Sequence, residues 1–471
     1  MTIITTKTVP SHSAGSFILK ARSSKANLLD EAKAASVQAL PEGFYKPFFS
    51  DVARNRKPSP IRSLMPLETH PGVISLLQGK PNDDTFPITS LQFTARSPNN
   101  PDEETTLVIT GNAIREGLQY CPTDGIPSLL KWVYGLQERE HRRRQGEGWR
   151  ISVGTGSQDA ISKVLTALIS PGDSVLVEKP VYAGILPVFQ SLRCEMIEVE
   201  TDAEGISSAS LRRILESWPH NKPKPKALYT VPYGCNPTGM TASLARRLEV
   251  LQLSRSHAFL ILEDDPYYYL YYGDSPRIPS YFRLEAETGT IGRVIRFDSL
   301  SKIVSAGIRV GFACGPTPIM DAIDMDTGSS SLQSSSLTQV IASTLLHSWG
   351  YEGFTAHTKA VSDFYRYKRD IFETAMREHL EGLAEWDTPE SGMFFWFKLL
   401  LSDDPDEEGD SASLIQTKAL AGGVLALPGT VFFPNGGKTA YVRAAFSLLP
   451  EEEVHEALRR LRAMILEERM G

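Results

Sequence analysis

The chain has 471 residues, enough for two or three domains at a prior of roughly 150 residues each and enough to bury a sizeable core. Its formal net charge is -7, from 49 Lys and Arg against 56 Asp and Glu, and without a basic face to release counterions this balance argues against nucleic-acid binding. No apolar run approaches a membrane span, and the four scattered cysteines, lacking CxxC spacing, read as reduced thiols of a soluble intracellular protein rather than staples or zinc ligands.

Residues 1–45 open with a Ser/Thr-rich stretch that carries only basic charges before Asp30. They read as a flexible extension outside the fold of a cytoplasmic protein, with an acid-poor mitochondrial targeting peptide as the alternative. The basic run "HRRR", His141 to Arg144, reads as a solvated helix face. From Trp149 to Pro316 short β-rich runs alternate with amphipathic stretches. "RISVGTGS", "SVLVEKP", "KALYTVP", "AFLILEDD", "VIRFDS" and "GIRVGFA" read as strands, and "QDAISKVLTALI" as a helix. This alternation predicts an α/β fold, a mostly parallel sheet covered by helices, with its ligand crevice beyond the carboxyl ends of the strands.

After about Ser330 the pattern changes to two long helices, "SLTQVIASTLLHSWG" and "HTKAVSDFYRYKRDIFETAMREHL". "GMFFWFKLLL" and "GVLALPGTVFF" then read as strands of a smaller α+β domain. The expected divisions are an N-terminal arm with part of the small domain at 46–118, a large domain at 119–330 and a C-terminal small domain at 331–471. The acidic segment Ser402 to Ala412 reads as an exposed loop, and its unordered spacing gives no metal site.

The candidate chemistry falls where strands stop. "GTGSQDA", Gly154 to Ala160, is a turn opening a helix and suits a phosphate; with Asp159 at the third small position it is not the dinucleotide fingerprint. "YGCNPTGM" places Asn236 at a sharp turn, where closing an Asx-turn is the simpler role. "LEDDPYYYL" sets Asp264 and Tyr267 three apart, and an acid buried there needs a cation or donor opposite. In "RFDSLSKIVSAGIRVGFACG", Arg296 to Gly315, Lys302 is either a surface side chain or an amine kept reactive, with Arg309 seven residues on. A ring bearing a phosphate, an aldehyde, a phenolic oxygen and a basic nitrogen would use all these groups, and pyridoxal 5'-phosphate has all four.

The order Gly-Ser-Gln, Asn-Pro-Thr-Gly, Asp-x-x-Tyr, Ser-x-Ser-Lys and a following arginine resembles the fold type I pyridoxal-phosphate aminotransferases of class I/II. "KPSPIRSL", "LQYCPTDGIPSLLKW", "EDDPYYYL", "DSLSKIVSAGIRVGF" and "GMFFWFK" resemble most the kynurenine/2-aminoadipate and fungal aromatic amino acid aminotransferases, from about Phe48 to the C-terminus. The resemblance implies transfer of an amino group from Trp, Phe, Tyr, kynurenine or 2-aminoadipate to a 2-oxo acid such as 2-oxoglutarate, in ping-pong fashion. Lys302 would form the internal aldimine and move the substrate proton, with Asp264 on the pyridine nitrogen and Asn236 and Tyr267 on the phenolic oxygen. Arg309, Ser157, Gln158, Ser299 and Ser301 would hold the phosphate, and Tyr182 would cover the ring. Tyr120 would reach the phosphate of a neighbouring subunit, implying a homodimer with shared sites.

On the substrate side the resemblance makes Arg443 the α-carboxylate clamp and Arg62 an arginine on a mobile N-terminal segment, with Gly79 and Phe394 nearby. One departure stands out: Gln78-Gly79-Lys80-Pro81 replaces the family's Gly-Gly-apolar-Pro and brings a cation near the pocket. Two rival readings are weaker. Ser299-x-x-Lys302 fits a serine-hydrolase motif, but the S-D-N and K-T-G partners are missing. A regulator built on an aminotransferase-like body would need a DNA-binding unit, and the residues before Phe48 are too few and irregular for one.

Overall fold

The computed structural model describes residues 37–402 and 409–470, apart from Gln78 and the side chains of Arg62, Ser63 and Thr69. Residues 1–36 of the expected extension lie outside the described residues. From Gln38 the chain is docked rather than loose: strand β1 (Gln38–Ala39) runs parallel to Thr290–Ile291. A 3₁₀ turn at Glu42–Tyr45 then buries Tyr45, whose hydroxyl donates to the Gly292 carbonyl at 3.0 Å. Composition does not show that an aromatic anchor here has a cavity waiting. Next comes a two-stranded antiparallel hairpin, β2 (Leu91–Arg96) and β3 (Glu104–Ile109).

The large sheet is built from β4 (Trp149–Gly154), β5 (Ser174–Lys179), β6 (Glu195–Asp202), β7 (Gly205–Ile206), β8 (Ala227–Thr230) and β9 (Leu260–Asp264). After β10 (Thr290–Ile291), which pairs with β1 in a separate two-stranded sheet, it takes β11 (Val294–Ser299) and β12 (Gly311–Pro316). Their order is β4-β12-β11-β9-β8-β5-β6-β7. β6, β5, β8, β9 and β11 run parallel, while β12 is antiparallel to both its neighbours and β7 to β6. Every residue of β8, β9 and β11 is buried; β8 and the start of β9 are runs of apolar residues without alternation, whereas β11 also buries Arg296 and Asp298.

The polar residues at the ends of β9 and β11 answer one another inside the protein. Arg296 bonds Asp265 at 2.7 Å and Asp298 at 2.8 Å, and Glu263 lies 3.5 Å away, all with side chains almost wholly buried. Desolvating these charges is costly, so breaking one pair would leave an uncompensated charge. The cluster ties together the two strands that deliver Asp264 and Ser299.

The run at His141 to Arg144 corrects the expectation of a solvated face. The helix Pro127–His141 ends with Arg142 in the left-handed region at φ 55°, which turns the chain inward. His141 and Arg143 are buried; Arg143 pairs with Glu147 at 3.1 Å and lies 4.0 Å from the centroid of the Phe282 ring. Only Arg142 and Arg144 of this run face solvent.

In the smaller lobe the two expected helices run as Ser336–Leu380, interrupted at Gly350, whose φ of 62° only glycine adopts without cost. The sheet has order β13-β14-β16-β15, from β13 (Ala384–Trp386), β14 (Phe394–Leu399), β15 (Leu427–Pro428) and β16 (Tyr441–Ala445), all antiparallel. "GVLALPGTVFF" keeps only two strand residues, because Pro428 has no N–H for the ladder and Gly429–Phe432 turns into a 3₁₀ helix. Phe395, Phe397 and Val442 face the helices Ser336–Leu380 and Glu451–Arg469, forming a second core with Phe372, Met376 and Leu458. Residues 403–408 of the acidic loop lie outside the described residues. No helix among the described residues is long and apolar enough to cross a membrane, and all four cysteines are free.

Candidate active site

The turn after β4 makes an anion cradle from two independent sources. Gly156 caps the helix Ser157–Leu168 at φ 84°, and a Cβ there would overlap the guanidinium of Arg309. Arg309 reaches this point from the turn before β12, where Nη2 donates to the Thr155 carbonyl and Nη1 to the Ser301 hydroxyl, both at 3.1 Å. The exposed N–H groups and positive dipole end of the helix thus meet a fixed cation. The Ser299 hydroxyl accepts the Ser301 N–H at 3.2 Å, tightening the loop that leads to Lys302.

Lys302 follows directly on that loop. No carboxylate among the described residues pairs with it, and its amine is pushed below the ordinary lysine range, by burial first and then by the charge of Arg309. This is the environment that leaves an amine free to act as a nucleophile or base.

Asp264 sits at the end of β9 with its carboxylate buried. Oδ2 accepts from the Tyr229 hydroxyl at 2.6 Å, whereas Oδ1 has no partner among the described residues. Burial pushes this carboxyl up to about 7, against the lowering effect of the Tyr229 hydrogen bond. The neighbouring Asp265 is turned away and held by Arg296. A buried, half-satisfied acid facing a cavity calls for a cationic donor from a ligand.

Arg443 lies in β16 opposite Trp396 of β14. Its guanidinium carbon is 4.2 Å from the centroid of the Phe394 ring and 5.2 Å from that of Phe432, and Nη1 donates to the Asn236 Oδ1 at 2.8 Å. Burial lowers its pKa, and Nε has no partner among the described residues. A carboxylate is the group such a fork accepts best.

These groups converge on a cavity of about 190 Å³. Lys302, Asp264, Arg309, Ser157, Ser299 and Ser301 line it, as do Gln158, Tyr182, Asn236, Tyr267 and Phe394. Gln158 donates to the Gly184 carbonyl at 2.9 Å, and Tyr267 meets Phe394 edge-on with centroids 6.3 Å apart. Burial raises the Tyr182 and Tyr267 hydroxyls above the ordinary tyrosine range, so both stay protonated donors. Arg443 joins through Asn236 and Phe394 rather than by lining the cavity itself.

Three expected residues are not gathered there. Tyr120 is 52% exposed, Gly79 lies in an exposed stretch, and Arg62 belongs to the helical turn Pro60–Leu64 with its side chain outside the described residues. The sequence reading also missed Tyr229, Val231, Pro266 and Phe432. Tyr229 lies within the "KALYTVP" strand, but only the register of β8 on β9, which sets it opposite Leu262, brings it toward Asp264. A larger cleft of about 780 Å³ opens between the lobes near Gly239 and Trp396, yet none of the expected residues lines it.

The model of the family "Aminotransferase class I and II" matches residues 92–461. Aminotransferase tdiD of Emericella nidulans is 41% identical over 421 residues, 89% of this chain and 95% of its own. The mitochondrial kynurenine/alpha-aminoadipate aminotransferase of Mus musculus is 37% identical over 439 residues, 90% of this chain and 99% of its own. Among solved structures, the aromatic aminotransferase Aro9 of C. albicans superposes with a TM-score of 0.77 at 26% identity, covering 90% of this chain and 98% of that one.

Proposed function

The chain belongs to the class I and II aminotransferase family, and we propose that it moves the amino group of an aromatic amino acid, kynurenine or 2-aminoadipate to a 2-oxo acid, with 2-oxoglutarate as the acceptor. The observation that supports this most directly is Arg443, a half-buried fork flanked by Phe394 and Phe432 beside the cavity that holds Lys302 and Asp264. An α-carboxylate bound there would set a large apolar or aromatic side chain against rings. The relatives named for kynurenine, aminoadipate and aromatic substrates point the same way.

The family implies pyridoxal 5'-phosphate, and the residues present fit it: an anion cradle, an unpaired buried carboxylate oxygen and an amine held toward its neutral form meet in one cavity. When bound, the cofactor supplies an electrophilic aldehyde and a protonated ring that withdraws electrons. Arg309, Ser157, Gln158, Ser299 and Ser301 would hold its phosphate. Asp264 Oδ1 would accept the ring N–H and keep that proton in place, while Asn236 and Tyr267 donate to the phenolic oxygen and Tyr182 covers one face. The Lys302 amine would hold the cofactor at its aldehyde carbon and would take up and return the proton at the substrate Cα. Arg443 orients the α-carboxylate so that this proton lies within reach.

The two half-reactions share one site in this reading, so the partner for a distal carboxylate must move when an aromatic donor binds; Arg62 is assigned that part, with Gly79 and Lys80 at the rim. The exposed Tyr120 is assigned to the cofactor phosphate of a second copy, which makes the working unit a homodimer. The compartment is cytoplasmic in this reading, with a mitochondrial one, compatible with the Ser/Thr-rich amino terminus and the naming of the mammalian relatives, as the alternative; a fluorescent fusion of the full chain distinguishes the two. The decisive measurement is a donor panel with 2-oxoglutarate, followed by stopped-flow absorbance of each half-reaction. Turnover of phenylalanine, tryptophan, kynurenine or 2-aminoadipate is expected. Turnover confined to small aliphatic donors would overturn the substrate assignment, and cofactor binding without any turnover would make the protein a sensor.

A further inference from the structure

Outside the active-site cavity, the two long helices of the smaller lobe bring together three side chains of metal-ligand type. Glu378 and His379 come from the last turn of Ser336–Leu380, and His455 from the second turn of Glu451–Arg469. His379 Nε2 and His455 Nδ1 are 3.2 Å apart. One Glu378 oxygen is 3.3 Å from His455 Nδ1, and the other is 3.7 Å from His379 Nε2.

Hydrogen bonding accounts for only part of this arrangement when both rings are neutral. Two facing imidazole nitrogens can share one proton, which leaves a lone pair on the other ring turned toward an anionic carboxylate. A cation at the centre would satisfy all three groups at once. For zinc, ligand distances of about 2.0–2.1 Å in a tetrahedron put neighbouring ligand atoms about 3.3 Å apart. The 3.2 Å between the ring nitrogens and the 3.3 Å from His455 Nδ1 to one Glu378 oxygen match that edge; the 3.7 Å contact to His379 Nε2 is made by the other carboxylate oxygen, and one ligand atom from each residue lies within 4.8 Å of the others, so a small turn of the carboxylate completes the triangle. The ring planes are 84° apart, so the imidazoles meet edge to face rather than stacking flat.

We propose that Glu378, His379 and His455 form a divalent transition-metal site, best suited to zinc, with water as the fourth ligand. Two imidazoles and one carboxylate suit zinc and its neighbours, whereas calcium and magnesium take oxygen-dominated shells. The side chains are 14% exposed at His379, 30% at His455 and 58% at Glu378, so a metal would enter from the glutamate side and keep an open position toward solvent. Arg462 donates to the His379 carbonyl at 2.9 Å and fixes the backbone behind that ligand. Coordination would fasten the C-terminal helix to the end of the long helix. Its effect is on the stability of the lobe carrying Arg443, since binding to the folded form alone stabilises by mass action.

The test uses the full-length, cofactor-loaded enzyme treated with chelator and then titrated with zinc, or with cobalt(II) as a spectroscopic probe. Expected are one equivalent per chain with micromolar or tighter affinity, the intense visible bands of tetrahedral cobalt, and a zinc-dependent rise in thermal midpoint. His455→Ala and His379→Ala should each lose at least tenfold in affinity together with the cobalt bands, while amino-group transfer is unchanged. Unaltered binding in both histidine variants, or wild-type binding only at millimolar metal, would overturn the proposal. If one variant unfolds, His455→Gln, which keeps size and polarity at a half-buried helix position, decides by the same readouts.

Discussion

The buried acid at the end of β9 makes the sharpest prediction, because the folded protein and the proposed cofactor ask opposite things of it. Without a ligand, burial holds the Asp264 carboxyl at about 7, up from 3.8, with the Asp265 and Asp298 charges adding to the rise and the Tyr229 hydrogen bond opposing it. That is a factor of roughly a thousand, or on the order of 4 kcal/mol against the ionised form. A folded-state pKa above the unfolded value means that the native state binds more protons between the two. Stability of the cofactor-free protein should therefore fall as pH rises from about 4 to about 7 and be flat above. Asp264→Asn removes the titration and leaves an oxygen for Tyr229. The variant should gain on wild type over that window, by up to about 4 kcal/mol above pH 7 as an upper bound, and the gain should vanish near pH 4. Urea unfolding of both cofactor-free proteins, at matched concentration across the pH range, measures this difference directly. In the loaded enzyme the same substitution should cut kcat by orders of magnitude, each factor of ten being about 1.4 kcal/mol of barrier, because the ring nitrogen loses its anionic partner. A stability difference that does not change with pH would refute the assignment of the buried charge to Asp264. Unimpaired turnover would refute its role, and Asp265, held by Arg296, would have to be reconsidered.

Lys302→Ala should fold and retain phosphate-directed cofactor binding yet lose covalent attachment; borohydride reduction and peptide mapping of the wild type should mark Lys302 and no other lysine. Gly156→Ala should weaken cofactor affinity at least tenfold, read by absorbance titration, because a Cβ there displaces Arg309 and φ 84° is strained for any side chain. Arg443→Ala should weaken every substrate, whereas Arg62→Ala should weaken 2-oxoglutarate and 2-aminoadipate more than phenylalanine or tryptophan in half-reaction kinetics. Equal losses for all four with Arg62→Ala would shift the reading of the distal charge to Lys80 or another residue.

The sequence by itself determined the alternation of strands and helices and the placement of polar groups at strand ends. A buried parallel strand must be apolar along its length, so an acid, an asparagine or a serine where it stops is conspicuous. The run from Asn236 through Asp264 to Lys302 and Arg309 was legible for that reason, and the family resemblance followed from its order. What adjacent residues do was not legible. Asp264 and Asp265 are equivalent in the sequence, and only the packing of Arg296 beside β9 decides that Asp265 is paired internally while Asp264 lines the cavity. Composition took His141 and Arg143 for surface residues, but the helix buries His141 against Ser280, and the left-handed residue at Arg142 turns the chain so that Arg143 packs on the Phe282 ring. Tyr229 lies on a different strand from Asp264, and Phe432 follows the short strand that pairs with the one carrying Arg443, so strand register brings each to its partner. Hydrophobic periodicity reports which way a side chain faces within its own element. Which group it then meets depends on pairing between distant segments, and that is settled only when the desolvation of each buried charge is met by a partner from another part of the fold.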